Sequence, residues 1–182
     1  MDINEFARKI AVDKRFRNEE YHKFVNNCYI LNDVSGNIQA SVLTEIIYVA
    51  KRNRRVRSLL SGILWFSNKD SISDENFQLL LSFPEKERSR LLFPVSHLNL
   101  SFSQLQIINR LTGDYEAFAQ LFDIICKNNC FNNVDMVQLL RENKNGDITA
   151  AGILYCVDAA IMKYGENIKT VEAVKWAKHT AR

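Results

Sequence analysis

The sequence predicts an all-α protein, and three observations predict it. Glycine and proline number only six and two in 182 residues, whereas sandwiches and barrels spend more of both on their many turns. Apolar residues recur at three- and four-residue spacing along most of the chain, the period of a half-buried helix. Strand-like alternation is weak throughout, and residues 95–102, from Val95 to Phe102, form the one plausible extended piece.

The elements follow in order. Ile3, Phe6, Ala7 and Ile10 share one face of a first short helix. From Asn18, the set Tyr21, Phe24, Val25, Cys28 and Leu31 repeats the pattern until Ser35-Gly36-Asn37 breaks it. Asn37 or Ser41 is the expected cap of a third helix with the stripe Val42, Ile46, Ile47 and Ala50. After a basic stretch, Val56, Leu59, Leu60, Ile63 and Leu64 continue at helical spacing toward Trp65 and Phe66. That pair reads as core at a helix end, with an exposed partner anchor as the other reading.

Ser73 followed by Asp74 and Glu75 marks the next N-terminus, because carboxylates there meet the positive end of the helix dipole. Phe77, Leu80 and Leu81 form the buried side, and Pro84 both stops that helix and starts the next, which leads to Pro94. Ser101 and Gln104 form a capping box ahead of Leu105, Ile108 and Leu111, and Gly113 ends that helix. Asp114 caps a run through Phe118, Leu121, Phe122 and Ile125. Three more helices are expected: from Asn133, from Asp147 or Thr149 to Gly165, and from about Asn167.

The expectation is therefore a single all-helical domain over residues 1–182, with about nine or ten packed antiparallel helices in an irregular bundle or a short stack of helical hairpins. A 47% hydrophobic content with eleven Phe, six Tyr and two Trp is ample for a core. No residue signature repeats along the chain, so no repeat family is implied.

The four cysteines, Cys28, Cys126, Cys130 and Cys156, each fall in an apolar, helix-patterned segment. The expectation is buried thiols in a reducing compartment. Cys126 and Cys130 lack a further pair of ligands in step, so no metal is expected, and nothing calls for a cofactor. The start of the chain is acidic, without an apolar core, and no apolar run approaches the ~20 residues that span a bilayer. A cytoplasmic location with no membrane partner is the expectation.

Lys51-Arg52-Asn53-Arg54-Arg55-Val56-Arg57 places five cations in seven residues, and without them the net charge of +3 becomes −2. If the stretch is helical, Val56 faces the core while Lys51, Arg52 and Arg55 share an exposed side. Arginine forks suit carboxylates and phosphates, so Lys51, Arg52, Arg54, Arg55 and Arg57 are the candidate partner-binding residues. The competing reading is a solvated interhelical corner whose cations complement the preceding helix dipole. An acidic protein surface is preferred to nucleic acid as the partner, because no aromatics interleave with the arginines and the pI of ≈ 8.7 is below the usual basic footprint.

Arg17-Asn18-Glu19-Glu20-Tyr21-His22 resembles the Arg-(polar)-x3-His motif of the HEPN ribonucleases, which are small and all-helical. The resemblance covers those six residues. It implies that Arg17 and His22 meet across a dimer and act on an RNA phosphate. Arg90 and His97, with six residues between them in place of four and Pro94 among the six, also fit the motif's wider spacing, and the family carries the motif on a late helix rather than near the N-terminus. Without that resemblance, His22 reads as an exposed helix residue near Glu19.

Residues 141–152 fail as a calcium loop, since Arg141 and Gly152 stand where acidic ligands belong. No Gly-rich phosphate loop and no nucleophile elbow are present. Glu85, Glu87, Asp114 and Glu116 lie at helix starts, where capping accounts for them. The expectation by elimination is a non-catalytic protein-binding protein. Its most specific version is a bacterial immunity protein that neutralises a toxin domain, or another accessory protein, in keeping with an Asn-, Ile- and Lys-rich composition. The alternatives are an RNA-binding protein or HEPN-like ribonuclease, and a translocated effector that docks on host proteins.

Overall fold

The computed structural model describes residues 1–67, 71–112 and 115–127, together with seven helical residues between positions 152 and 163. The chain divides into two compact units, Met1–Leu100 and Ser101–Arg182. Among the described residues there are eight α-helices and no strand, and an isolated bridge joins Asp2 to Ser35. The all-α expectation holds, with eight described helices rather than nine or ten. The starts expected at Asn133, at Asp147 or Thr149, and near Asn167 lie outside the described residues, as do Gly113 and Asp114.

In the first unit, Asp2 caps α1 (Ile3–Val12) by accepting the amides of Asn4 and Glu5. The Glu5 amide is the main cause that holds the Asp2 carboxyl below its ordinary pKa. Ile3, Phe6, Ala7 and Ile10 are buried along one face, as their spacing predicts. Asp13 ends α1 and caps α2 (Lys14–Asn26), its carboxylate taking the Arg15 and Phe16 amides at 2.8 and 3.0 Å. Helix α2 thus begins ahead of Asn18.

It also ends before Cys28, against the apolar pattern that runs on to Leu31. The Tyr29 amide bonds the Phe24 carbonyl at 2.8 Å, and Cys28 and Tyr29 take φ of 53° and 67°. This is a Schellman closure with Cys28 in the left-handed position that glycine usually fills. Its usual hydrophobic contact is made by the Phe24 and Tyr29 rings, edge to face at 5.4 Å. Cys28 is consequently exposed rather than buried, while Leu31 reaches the core from the loop.

Helix α3 (Ala40–Arg52) has Gln39 at its cap position, without a side-chain cap bond, so neither Asn37 nor Ser41 serves. The cap comes from elsewhere in the chain. The buried Asn4 side chain accepts the Gln39 amide at 2.7 Å and donates to the Asn37 carbonyl at 2.9 Å. Asn53 then breaks the path with extended backbone, and its side chain caps α4 (Arg54–Phe66). Helix α4 packs against α2 and α3 and touches α1, burying Val56, Leu59, Leu60, Ile63 and Leu64. Gly62 permits this, because a Cβ there would meet Phe24 Cε2 at 2.6 Å and Leu31 Cγ at 3.0 Å.

Ser73 caps α5 (Asp74–Leu81) through the Asn76 amide, as its sequence predicts. Pro84 stands just before α6 (Glu85–Val95), and Pro94 lies inside the last turn of α6 rather than beyond it. A proline this near the end removes few helix bonds. The chain after it turns through Ser96, His97 and Leu98, whose amides bond the carbonyls of Leu92, Pro94 and Val95. These turn bonds replace the extended piece expected over 95–102. Helix α6 also packs on α4.

In the second unit, α7 (Phe102–Thr112) packs against α8 (Tyr115–Lys127). The capping box is present as predicted: the Ser101 amide donates to Gln104 Oε1 at 3.0 Å, and the Gln104 amide to Ser101 Oγ at 3.3 Å. Leu105, Ile108, Phe118, Leu121 and Phe122 are buried. Cys156 is buried as expected, and Lys163 pairs with Asp123 at 2.8 Å.

Candidate functional site

The five cations of the basic stretch do not lie on one continuous helix, because Asn53 divides them between two. Lys51 and Arg52 occupy the last turn of α3, where they complement its negative end. Lys51 is half-buried, with Nζ 5.4 Å from the Tyr48 ring centre. Arg55 donates to Asn18 Oδ1 at 2.6 Å and lies over the Tyr21 ring.

Arg57 turns inward. Its Nε donates to the Ala50 carbonyl and its Nη2 to the Lys51 carbonyl, both at 3.1 Å, closing the end of α3. Its Nη1 pairs with Glu87, and the guanidinium lies 5.6 Å from the Phe83 ring centre. Glu87 therefore serves this clamp, where helix-start capping is its expected role. Arg52 and Arg54 are exposed and make no ion pair among the described residues. The stretch is an interhelical corner with Arg57 as its structural pin.

The outer surface of α4 carries a different grouping. Arg54, Ser58, Ser61 and Trp65 are spaced by four, three and four residues, which aligns them on one face opposite the buried stripe. Beside them, α6 presents Arg90 and Phe93, and the turn that follows it presents His97. Arg57 pairs with Glu87 near the two helix starts, and Trp65 meets Phe93 and His97 near the two ends. The two helices, separated in sequence by α5, thus run side by side in the same direction.

Trp65 and Phe93 stack with ring centres 5.6 Å apart and planes 14° apart, and His97 meets the indole edge-on at 4.4 Å. Trp65 is nonetheless 45% exposed and Phe93 54%. The core reading of Trp65 is overturned: it lies outside the buried α4 stripe, and its ring partners among the described residues are Phe93 of α6 and His97 of the turn after it. Phe66 is half-buried.

Between the two stripes lies an open cleft of ≈ 640 Å³, within the usual size range of ligand sites. The serines keep it open because they are small. Ser58, Ser61 and Ser89 donate their hydroxyls to carbonyls of their own helices, at 3.2, 2.7 and 3.0 Å. Arg54 and Arg90 line the cleft without an ion pair among the described residues. Tyr29, 62% exposed, lines it from the left-handed loop. The cleft can offer guanidinium donors, aromatic faces and hydroxyl oxygens that still accept.

Residues from the other sequence motifs lie elsewhere. Arg17 is half-buried and donates Nη1 to the Ile10 and Ala11 carbonyls at 3.2 Å, closing the end of α1. His22 is exposed, edge-on to Tyr21. No cluster of three metal-ligating side chains occurs among the described residues, and none of their helices is long and apolar enough to cross a membrane.

Phe93, Arg90 and Tyr29 were not among the partner-binding residues expected from the sequence, and Trp65 entered only as the second reading of its helix end. The four-three-four spacing of the polar stripe on α4 is the signal that points to this face. Only the alignment of α6 brings aromatics beside its arginine. The chain matches no protein-family model, no curated protein and no solved structure.

Proposed function

We propose that the protein is a non-catalytic binder of another protein and that the outer face of α4 and α6 is its contact surface. One observation carries the proposal: a tryptophan held half-exposed and stacked on a second exposed aromatic ring, Phe93, which itself lines a cleft with Arg54 and Arg90. Tryptophan, tyrosine and arginine dominate binding hot spots, and the two aromatics combine large apolar area with a polar handle and lose few rotamers on docking. Stacking on Phe93 and His97 fixes the indole before a partner arrives, which lowers the entropy cost of association.

Of the five cations, Arg52 and Arg54 remain available to a partner beside this face, while Arg57 supports it from within. The finer version of the proposal is a bacterial immunity or accessory protein that covers a toxin domain. The support for that version is compositional.

The test is affinity capture with the tagged chain, with and without nuclease, comparing wild type with Trp65→Ala. The expected result is one nuclease-resistant protein in stoichiometric amount, with Trp65→Ala weakening its binding by roughly 30- to 1,000-fold, the usual span for a hot-spot truncation. Recovery of RNA and its proteins alone, lost on nuclease treatment, would overturn the proposal in favour of the RNA-binding alternative.

A further inference from the structure

The cleft between α4 and α6 carries more than the aromatic patch does, because its charge defines what fills it. We infer that it receives an acidic peptide segment of the partner protein, with carboxylates on Arg54 and Arg90 and an apolar side chain against Phe93 and Trp65. The inference rests on the proposed protein-binding function and names the chemistry of the partner.

The charges in the wall are three arginines and one glutamate. Arg57 and Glu87 neutralise each other, which leaves the positive charge to Arg54 and Arg90. Arg54 stands at the start of α4, where the helix dipole adds to its attraction for an anion. Arg90 comes from the neighbouring helix, so one ligand can meet both. Guanidinium forks match carboxylates in bidentate geometry.

From Arg54 to Ser61 the α4 wall of the trough runs seven residues of helix, about 10 Å at ~1.5 Å per residue. An extended chain covers that length with about three residues at ~3.3 Å each. Phe93 belongs to both the cleft wall and the Trp65 stack, so a segment lying in the trough reaches cations and aromatic rings together. Tyr29 stands at the same cleft on two successive left-handed residues, a backbone that costs free energy and that recurs where a side chain is held for contact.

A nucleic acid fits less well. Sequence-independent binding of a strand needs a run of phosphate contacts, and this trough offers two open cations beside a carboxylate.

The test is fluorescence anisotropy on the full chain at low salt. The probe is a fluorescein-labelled twelve-residue peptide of Glu and Asp with one central Phe. Its controls are the same peptide with Gln and Asn, and a twelve-nucleotide oligouridine. The acidic peptide is expected to bind, the amide peptide to lose binding, and Arg54→Gln/Arg90→Gln to weaken binding at least tenfold. Ser58→Leu, which fills the trough and leaves every charge in place, is expected to weaken it as much. Lys14→Gln/Arg15→Gln, an equal charge loss on α2, is expected to change it less than twofold.

Failure of the acidic peptide to bind overturns the inference, as does equal loss in the α2 variant or tighter, Arg54- and Arg90-dependent binding of oligouridine. Partner capture separates the two proposals. A captured protein that depends on Trp65 but is retained by Arg54→Gln/Arg90→Gln removes the acidic-segment inference alone. Cleft-dependent peptide binding with no captured protein removes the functional proposal alone.

Discussion

Phe24→Ala is expected to lower the unfolding free energy by about 3–5 kcal/mol, the range for removing a buried phenyl ring. Phe24 is the one residue of α2 that is fully buried, and its ring fills the space that Gly62 leaves on α4. Little can move in to close the cavity. On one side is the helix backbone, and on the other is a loop already held in left-handed conformation. The variant also removes the ring against which Tyr29 packs, so the Tyr29 side of the cleft is expected to loosen with it. Urea unfolding followed by circular dichroism measures the effect, and a cost below about 1 kcal/mol would contradict this packing.

Arg57→Ala is expected to cost about 2–4 kcal/mol, although the residue belongs to a surface run of cations. Two carbonyls at the end of α3 lose their donor, and Glu87, itself half-buried, loses its cation. Breaking a partly buried pair from one side leaves the other group unpaired, which costs more than the pair contributes. Arg57→Lys is expected to recover less than half, because a single ammonium cannot span both carbonyls and the carboxylate as the guanidinium does. Arg52→Ala, at an exposed position without an ion pair among the described residues, is expected to change stability by less than about 0.5 kcal/mol. Equal costs for Arg52 and Arg57 in parallel urea titrations would show the corner to be uniformly solvated.

The contrast between those two arginines shows what was legible in the sequence. Local rules worked where both partners lie within a turn. Ser73 and the Ser101–Gln104 box cap the helices they were expected to cap, and Val56 faces the core as its position predicts. They failed where the deciding contact is distant. Asn4 supplies the cap of α3 from more than thirty residues away, so a search near Asn37 and Ser41 could not find it. Asn53 breaks the basic run, yet the cations around it mask a normal cap residue.

At the candidate site, Arg54 was legible as one of five candidate cations, and Arg57 was not separable from it by sequence. Its inward turn depends on Glu87 of α6. Trp65 read as core because it follows the apolar stripe of α4. Its exposure becomes visible only when α6 and the turn after it place Phe93 and His97 beside it. Spacing along one helix is local information, and the alignment of two helices is not.

The most direct test of the α4–α6 contact surface is amide hydrogen exchange of the full chain with and without its captured partner. The expected result is protection concentrated in residues 54–66 and 85–97 and in the Tyr29 loop, with the exposed side of α2 around Lys14 and Glu19 unchanged. Protection centred on α2, or spread over the second unit with 54–66 and 85–97 unaffected, would contradict the assignment and place the binding surface elsewhere.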